Sequence, residues 1–359
     1  MVDGGRRRTL ELLVALGRRV EVEVCAVEEP AGGGPLPVDA DAFRALRLFP
    51  RSPLPPGVAP LAARPERWFH SRALARWLAQ EDLSRFDALF LDEPWLLRAV
   101  PRGAPPVVAH HHKLEVELAR ELGHPWHERL RVARLERMLA LRAALHVFAG
   151  EEDRVRFLGR HPAAATAVLP AGIDPARFVP PTAARARDRL LFFGSLGYEP
   201  NRRALRWIQE SLWPALSGTD PALRLRIVGA GELPASWGPL PAGMERVGYV
   251  ADPLPELQAA TALLAPMDIA GGARQKLVEA LATGCPVVAT PTAVEGLPSA
   301  EELVELAEPG AGFLAATRRL LSDPEPALER ASRSARVVRE AWSWRTLADQ
   351  LADRMGELA

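Results

Sequence analysis

The stretch Gly271-Gly272-Ala273-Arg274-Gln275-Lys276-Leu277-Val278-Glu279-Ala280-Leu281, which follows the apolar run Ala262-Leu263-Leu264-Ala265-Pro266, decides how this chain is read. The apolar run has the length and character of a buried parallel strand. The paired glycines let the backbone turn tightly and come close to a ligand. A helix expected to start near Arg274 offers free N–H groups and a positive dipole end to an anion, and Arg274 and Lys276 bring full charges to the same place. Glu279 falls about one and a half turns into that helix, where it can accept hydrogen bonds from sugar hydroxyls while Leu277, Val278 and Leu281 face a sheet. Gly284-Cys285-Pro286 ends the helix, and Val287-Val288-Ala289-Thr290 begins the next strand. This is equipment for holding a diphosphate and a ribose; the plain alternative is a glycine-rich turn before a solvated basic helix. Lys276 stands out further, because only it and Lys113 are lysines among 45 basic residues. A compact ammonium is not interchangeable with a guanidinium.

Outward from this segment, short apolar runs alternate with helical stretches, the pattern of α/β units with parallel sheets. In the first half, strands are expected at 20–27, 87–91, 106–110, 145–149 and 166–169, with helices at 7–17 and 71–80 and a long amphipathic helix over 113–142. Residues 28–65, rich in Pro and Gly, read as an irregular excursion. In the second half, strands are expected at 189–193, 223–228, 245–250, 262–265, 286–290 and 303–306. Helices are expected at 202–209, 253–260, 275–283, 312–321, 326–341 and 344–358. Turn chemistry at Leu169-Pro170-Ala171-Gly172-Ile173-Asp174-Pro175 marks a boundary. The expected division is an N-terminal domain over 1–177, a C-terminal domain over 178–340 and a terminal helix over 341–359 that packs back on the first domain. Ligand would bind where two doubly wound sheets present their strand ends to a central cleft.

The 359 residues carry 45 basic and 45 acidic side chains, so no net charge argues for nucleic acid. No apolar run has membrane-span length, and Met-Val-Asp-Gly-Gly-Arg-Arg-Arg at the start lacks a signal-peptide core, so a cytoplasmic protein is expected. Cys25 and Cys285 read as separate buried thiols.

Several segments together resemble the retaining glycosyltransferases of the GT-B fold, family 4 type, and particularly the exopolysaccharide-associated sugar transferases. They are Phe192-Phe193-Gly194-Ser195-Leu196-Gly197-Tyr198-Glu199-Pro200-Asn201, Leu225-Arg226-Ile227-Val228-Gly229-Ala230-Gly231, Val247-Gly248-Tyr249-Val250-Ala251-Asp252 and the opening stretch. The resemblance implies an α/β GT-B enzyme of two Rossmann-like domains, taking a sugar-nucleotide donor such as a UDP- or GDP-sugar, with no cofactor and no required metal. It implies Glu279 at the ribose, Arg274 and Lys276 at the diphosphate, and Gly272 and Leu277 among the residues that bind the donor nucleotide. Gly194 and Ser195 face the same diphosphate, and the backbone of Tyr249 and Val250 lies at the base. Many such sequences carry a second glutamate eight residues before the ribose glutamate; here that position is Gly271.

In the first half, Val107-Val108-Ala109-His110-His111-His112-Lys113 resembles the strand end whose histidine lies beside the donor sugar, which makes His112 the catalytic candidate. Strand alternation puts His110 and His112 on one side, but a single such pair supplies too few ligands for a metal, and the histidines could simply close the strand. Gly4 and Gly5 resemble the acceptor-side glycine loop that follows a first strand, and that strand is expected to be missing. This motivates a second hypothesis, a catalytically impaired nucleotide-binding or scaffold protein. No acid/base carboxylate cluster is evident to support an epimerase, and Gly229-Ala230-Gly231 lacks the rest of a dinucleotide fingerprint. The acceptor, whether glycan, lipid-linked or a small molecule, stays open, as does peripheral membrane contact through the Arg-rich stretch 118–142.

Overall fold

The computed structural model describes residues 4–28, 40–57, 64–269 and 275–358. The chain divides into two compact units. One comprises Met1–Pro170 with Trp344–Ala359, the other Ala171–Ala270 with Arg274–Ser343.

In the first unit, strand β1 (Glu23–Val27) pairs in parallel with β2 (Ala45–Phe49). A separate parallel sheet holds β3 (Leu89–Leu91), β4 (Val107–His111), β5 (Leu145–Phe148) and β6 (Thr166–Val168) in that order. Strands β4 and β5 are buried along their whole length, as a parallel sheet covered on both faces requires. Leu12 and Leu16 of the helix Gly4–Gly17 meet Val108, Leu145 and Val147, with Trp344, Leu347 and Leu351 of the helix Trp344–Gly356 closing the same cluster. Each such side chain contributes about 1.5–3 kcal/mol of burial free energy.

Three expectations are corrected here. The excursion 28–65 contains β2, whose alternating Ala45-Leu46-Arg47-Leu48-Phe49 lies between Pro-rich flanks that hide it. The helix expected over 113–142 is two, Glu115–Glu121 and Trp126–Arg142, because Gly123 turns left-handed at φ 62° and Pro125 cannot continue the first helix. Gly4 and Gly5 do not form a loop; they open the helix Gly4–Gly17, whose first turn tolerates glycine since its N–H groups have no intrahelical partner.

The second unit has six parallel strands: β7 (Arg189–Phe193), β8 (Arg224–Val228), β9 (Met244–Gly248), β10 (Ala262–Ala265), β11 (Val287–Ala289) and β12 (Glu305–Leu306). Their order is β12-β11-β10-β7-β8-β9, the doubly wound arrangement with its switch point between β7 and β10. Leu190 lies between Leu225 on β8 and Ala262 on β10, so the apolar rows of three strands stay in step. The helix Glu199–Trp207 runs through a π turn, Ile208–Leu212, into Trp213–Ser217. Pro214, with no N–H to give the preceding turn, accounts for that irregularity. Trp213, 1% exposed, fills the core beneath it and donates Nε1–H to Ala242 O at 2.9 Å.

Candidate functional site

At the switch point of the second unit, two loops are pressed backbone against backbone. Gly194 N donates to Val228 O at 2.9 Å and Leu196 N to Ala230 O at 2.6 Å. Gly229 sits at φ 145°, and a Cβ there would lie 2.0 Å from Gly194 O. Only glycine permits this approach, and the effect is to present the Gly194–Ser195 backbone at the C-terminal end of β7.

Across the switch point, β10 leads to Met267, whose carbonyl accepts from Thr290 Oγ1 at 2.6 Å. The helix Gln275–Ala282 follows, burying Leu277, Val278 and Leu281 completely, as their spacing requires. Lys276 projects the other way. Its Nζ donates to Asn201 Oδ1 at 2.9 Å, touches Met267 Sδ at 3.7 Å and lies 5.8 Å from the centre of the Phe192 ring. Asn201 in turn donates Nδ2–H to Ser195 O at 2.8 Å. One carboxamide thus joins the Lys276 ammonium to the Gly194–Ser195 loop.

Glu279, one turn beyond Gln275, is 2% exposed, and Gln275 Nε2 approaches its Oε1 at 3.4 Å while donating to Gly172 O at 3.1 Å. Gln275 Oε1 is buried without a hydrogen-bond partner among the described residues. Tyr249 and Val250 fall immediately past the end of β9, with Tyr249 57% exposed and Val250 partly buried against the core. They lie two strands, roughly 10 Å, from β7. Gly272 and Arg274 lie outside the described residues.

A second polar cluster belongs to the first unit, at the ends of β3 and β4. Asp92 Oδ1 takes hydrogen bonds from His110 Nδ1 at 3.0 Å and His112 Nε2 at 3.1 Å, and its Oδ2 takes one from Thr9 Oγ1 at 2.6 Å. The fully buried Arg8 donates Nη2–H to Leu169 O at 2.8 Å, with Nη1 3.4 Å from His112 Nδ1. Burial alone would raise the Asp92 carboxyl, yet the charge of His112 and the hydrogen bonds of both histidines hold it well below its ordinary value. Burial, reinforced by His112, pushes His110 down to about 3, so its imidazole is neutral. Next to them, burial lifts the Glu93 carboxyl to about 7 in the company of Asp92 and Glu115.

Sequence reading paired His110 with His112 but overlooked Asp92, Glu93 and Arg8. The available signal was Leu91-Asp92-Glu93 at the end of the strand beside β4. The ligating atoms of Asp92, His110 and His112 lie within 4.8 Å of one another, a spacing a divalent ion could span. It would have to displace both N–H···O bonds to Asp92 and sit beside the Arg8 cation.

With this geometry in hand, comparison with known proteins places the chain. The family described as Glycosyltransferase Family 4 matches residues 2–177, and that described as Glycosyl transferases group 1 matches residues 187–323. No curated protein matches the chain in sequence. Among solved structures, sucrose-phosphate synthase from Thermosynechococcus elongatus is 17% identical, with a TM-score of 0.77 over 99% of this chain and 93% of that one. Anabaena HepE in complex with UDP is 17% identical, with a TM-score of 0.70 over 100% and 97%. WaaG, a glycosyltransferase involved in lipopolysaccharide biosynthesis, is 15% identical, with a TM-score of 0.68 over 99% and 96%.

Proposed function

This chain belongs to the family 4 glycosyltransferases and has their two-domain GT-B fold, and from that premise we propose that it moves a sugar from a nucleoside-diphosphate donor to a hydroxyl of a glycan acceptor, with retention of configuration. The observation that carries the reading is the Lys276 ammonium held at the switch point beside the Gly194–Ser195 backbone. As the anomeric C–O bond breaks, negative charge grows on the departing diphosphate. Lys276, the backbone at Gly194 and Ser195, and the N-terminus of the helix Gln275–Ala282, together with Gly272 and Arg274 that precede it in sequence, stabilise that charge without a metal. Leu277 anchors this helix, and Glu279 takes the ribose hydroxyls. The base lies at the backbone of Tyr249 and Val250. UDP is the first nucleotide to test, since Anabaena HepE carries it.

In the first unit, His112 is the group we assign to the donor sugar. Retention requires the acceptor oxygen to reach the anomeric carbon on the face the phosphate leaves. The helix Trp126–Arg142 exposes Trp126, Leu130 and Leu141 alongside Arg129, Arg134 and Arg137, a composition that suits an anionic lipid surface on which a lipid-linked acceptor would lie. No helix among the described residues is long and apolar enough to cross a membrane.

A donor panel of UDP- and GDP-sugars, read by nucleotide release with a mixed glycan acceptor set, tests the proposal. Release is expected with one donor class and should fall about 100-fold in Lys276→Ala. Unchanged turnover in that variant would refute the assignment of the diphosphate. One observation favours a second reading: among the described residues β1 and β2 form a sheet apart from β3–β6. Tight nucleotide binding with no release from any donor would support nucleotide binding without transfer.

A further inference from the structure

We propose that Asn201 is a positioning residue, whose carboxamide locks the Lys276 ammonium and the Gly194–Ser195 loop into one preformed diphosphate cradle. The inference rests on the donor reading above and adds a residue to it. Asn201 is 7% exposed and uses both ends of its amide: Nδ2 donates to Ser195 O at 2.8 Å and Oδ1 accepts from Lys276 Nζ at 2.9 Å. A carboxamide donates to a carbonyl and accepts from an ammonium at once, through two separate atoms at its planar end. Aspartate cannot donate, and leucine can do neither.

The fit is also steric. A Cβ at Gly194 would lie 2.7 Å from Asn201 Nδ2, while one at Gly229 would strike Gly194 O from the other side. The loop is therefore clamped between Asn201 and the backbone of the neighbouring strand end. A lysine on a flexible stem loses considerable rotamer entropy when it must be ordered by its ligand. Fixing it beforehand transfers that cost to folding. The charge then faces the diphosphate at the moment the leaving group develops its own, without reorganisation.

A double-mutant cycle on the full chain tests this, with calorimetric affinity for UDP and for uridine as the readouts, or GDP and guanosine if the wild type binds those instead. Asn201→Ala should weaken UDP about tenfold, the worth of one charge-assisted hydrogen bond, and leave uridine unchanged. In a Lys276→Ala background the same substitution should cost clearly less, since only the Gly194–Ser195 loop is left for it to hold. Equal losses for UDP and uridine would mean that Asn201 is merely structural, and additive losses in the cycle would mean that it does not act through Lys276; either overturns the inference. If Lys276→Ala alone leaves UDP affinity unchanged, the diphosphate reading falls and takes this inference with it. Should Asn201→Ala unfold the second unit, Asn201→Asp keeps the shape and the lysine partner but loses the bond to Ser195 O. It must show the same selective loss for UDP, and wild-type affinity in it would equally overturn the proposal.

Discussion

In the second unit six strands run without interruption as β12-β11-β10-β7-β8-β9, whereas in the first the described strands form a β1-β2 pair and a separate β3-β4-β5-β6 sheet. Without β7 the second sheet would split into the pair β8-β9 and the three strands β12-β11-β10, much as the first divides into a pair and four strands. Where the second unit has a continuous ladder across its switch point, the first has side chains. Glu23 at the start of β1 takes two hydrogen bonds from Arg85, at 2.7 and 2.9 Å, and that arginine immediately precedes the approach to β3. These bonds, more than the nearby Arg47 and Arg44, hold its carboxyl below its ordinary value. The interiors differ likewise. The second unit is held by one large apolar cluster; the first contains buried Arg8, His110, His111 and His146. All eight histidines of the chain fall between residues 70 and 161. One half derives its order from apolar contact, the other in part from groups that titrate.

Acid should separate the two units most strongly. Burial pushes His146 down to about 4 and His110 to about 3, and His111 well below its ordinary value. The unfolded chain takes up these protons near pH 6.5 and the folded unit cannot, so their contribution is whole above that pH and declines as pH falls toward 4. Glu93, raised to about 7, takes up a proton in the folded unit over the same window and offsets about one of the three histidines. Each histidine costs up to about 1.4 kcal/mol per pH unit over that window. Denaturation monitored at pH 7 and pH 5 should show the transition of the first unit moving and that of the second staying; a shift shared equally by both would break the contrast.

Trp213→Ala probes the apolar half. Loss of a fully buried indole and its hydrogen bond to Ala242 should remove about 3–5 kcal/mol from the second unit, measured by urea titration. In the first unit, Asp92→Asn leaves Arg8 and two histidines without their anion. About 2–3 kcal/mol should be lost there, with the neighbouring transition unmoved. Smallest of all, Val24→Ala on the half-buried β1 should cost about 0.5–1 kcal/mol. A loss as large as that at Trp213 would show β1 to be as tightly held as the second sheet.

The central strands of the second sheet were legible because they are unbroken apolar runs, as at Leu190-Leu191-Phe192-Phe193 before Gly194 and Leu263-Leu264-Ala265 before Pro266. Strand β2 was not, since Arg47 interrupts a short segment set within a proline-rich stretch. The same distinction governs the sites. Lys276 and Glu279 share one helix, so periodicity alone places them. Asn201 reaches Lys276 across 75 residues, and Arg8 comes within 3.4 Å of His112 across 104. Strand order creates those meetings, and local pattern carries no trace of them.

The central claim is that the donor nucleotide sits at the uninterrupted switch point of the second unit. Amide hydrogen exchange with and without saturating UDP or GDP reads this directly. Protection should rise at Gly194–Leu196 and along the helix Gln275–Ala282 while β3 and β4 stay unchanged. Protection confined to the Asp92–His112 cluster of the first unit, with none at the switch point, would contradict the account.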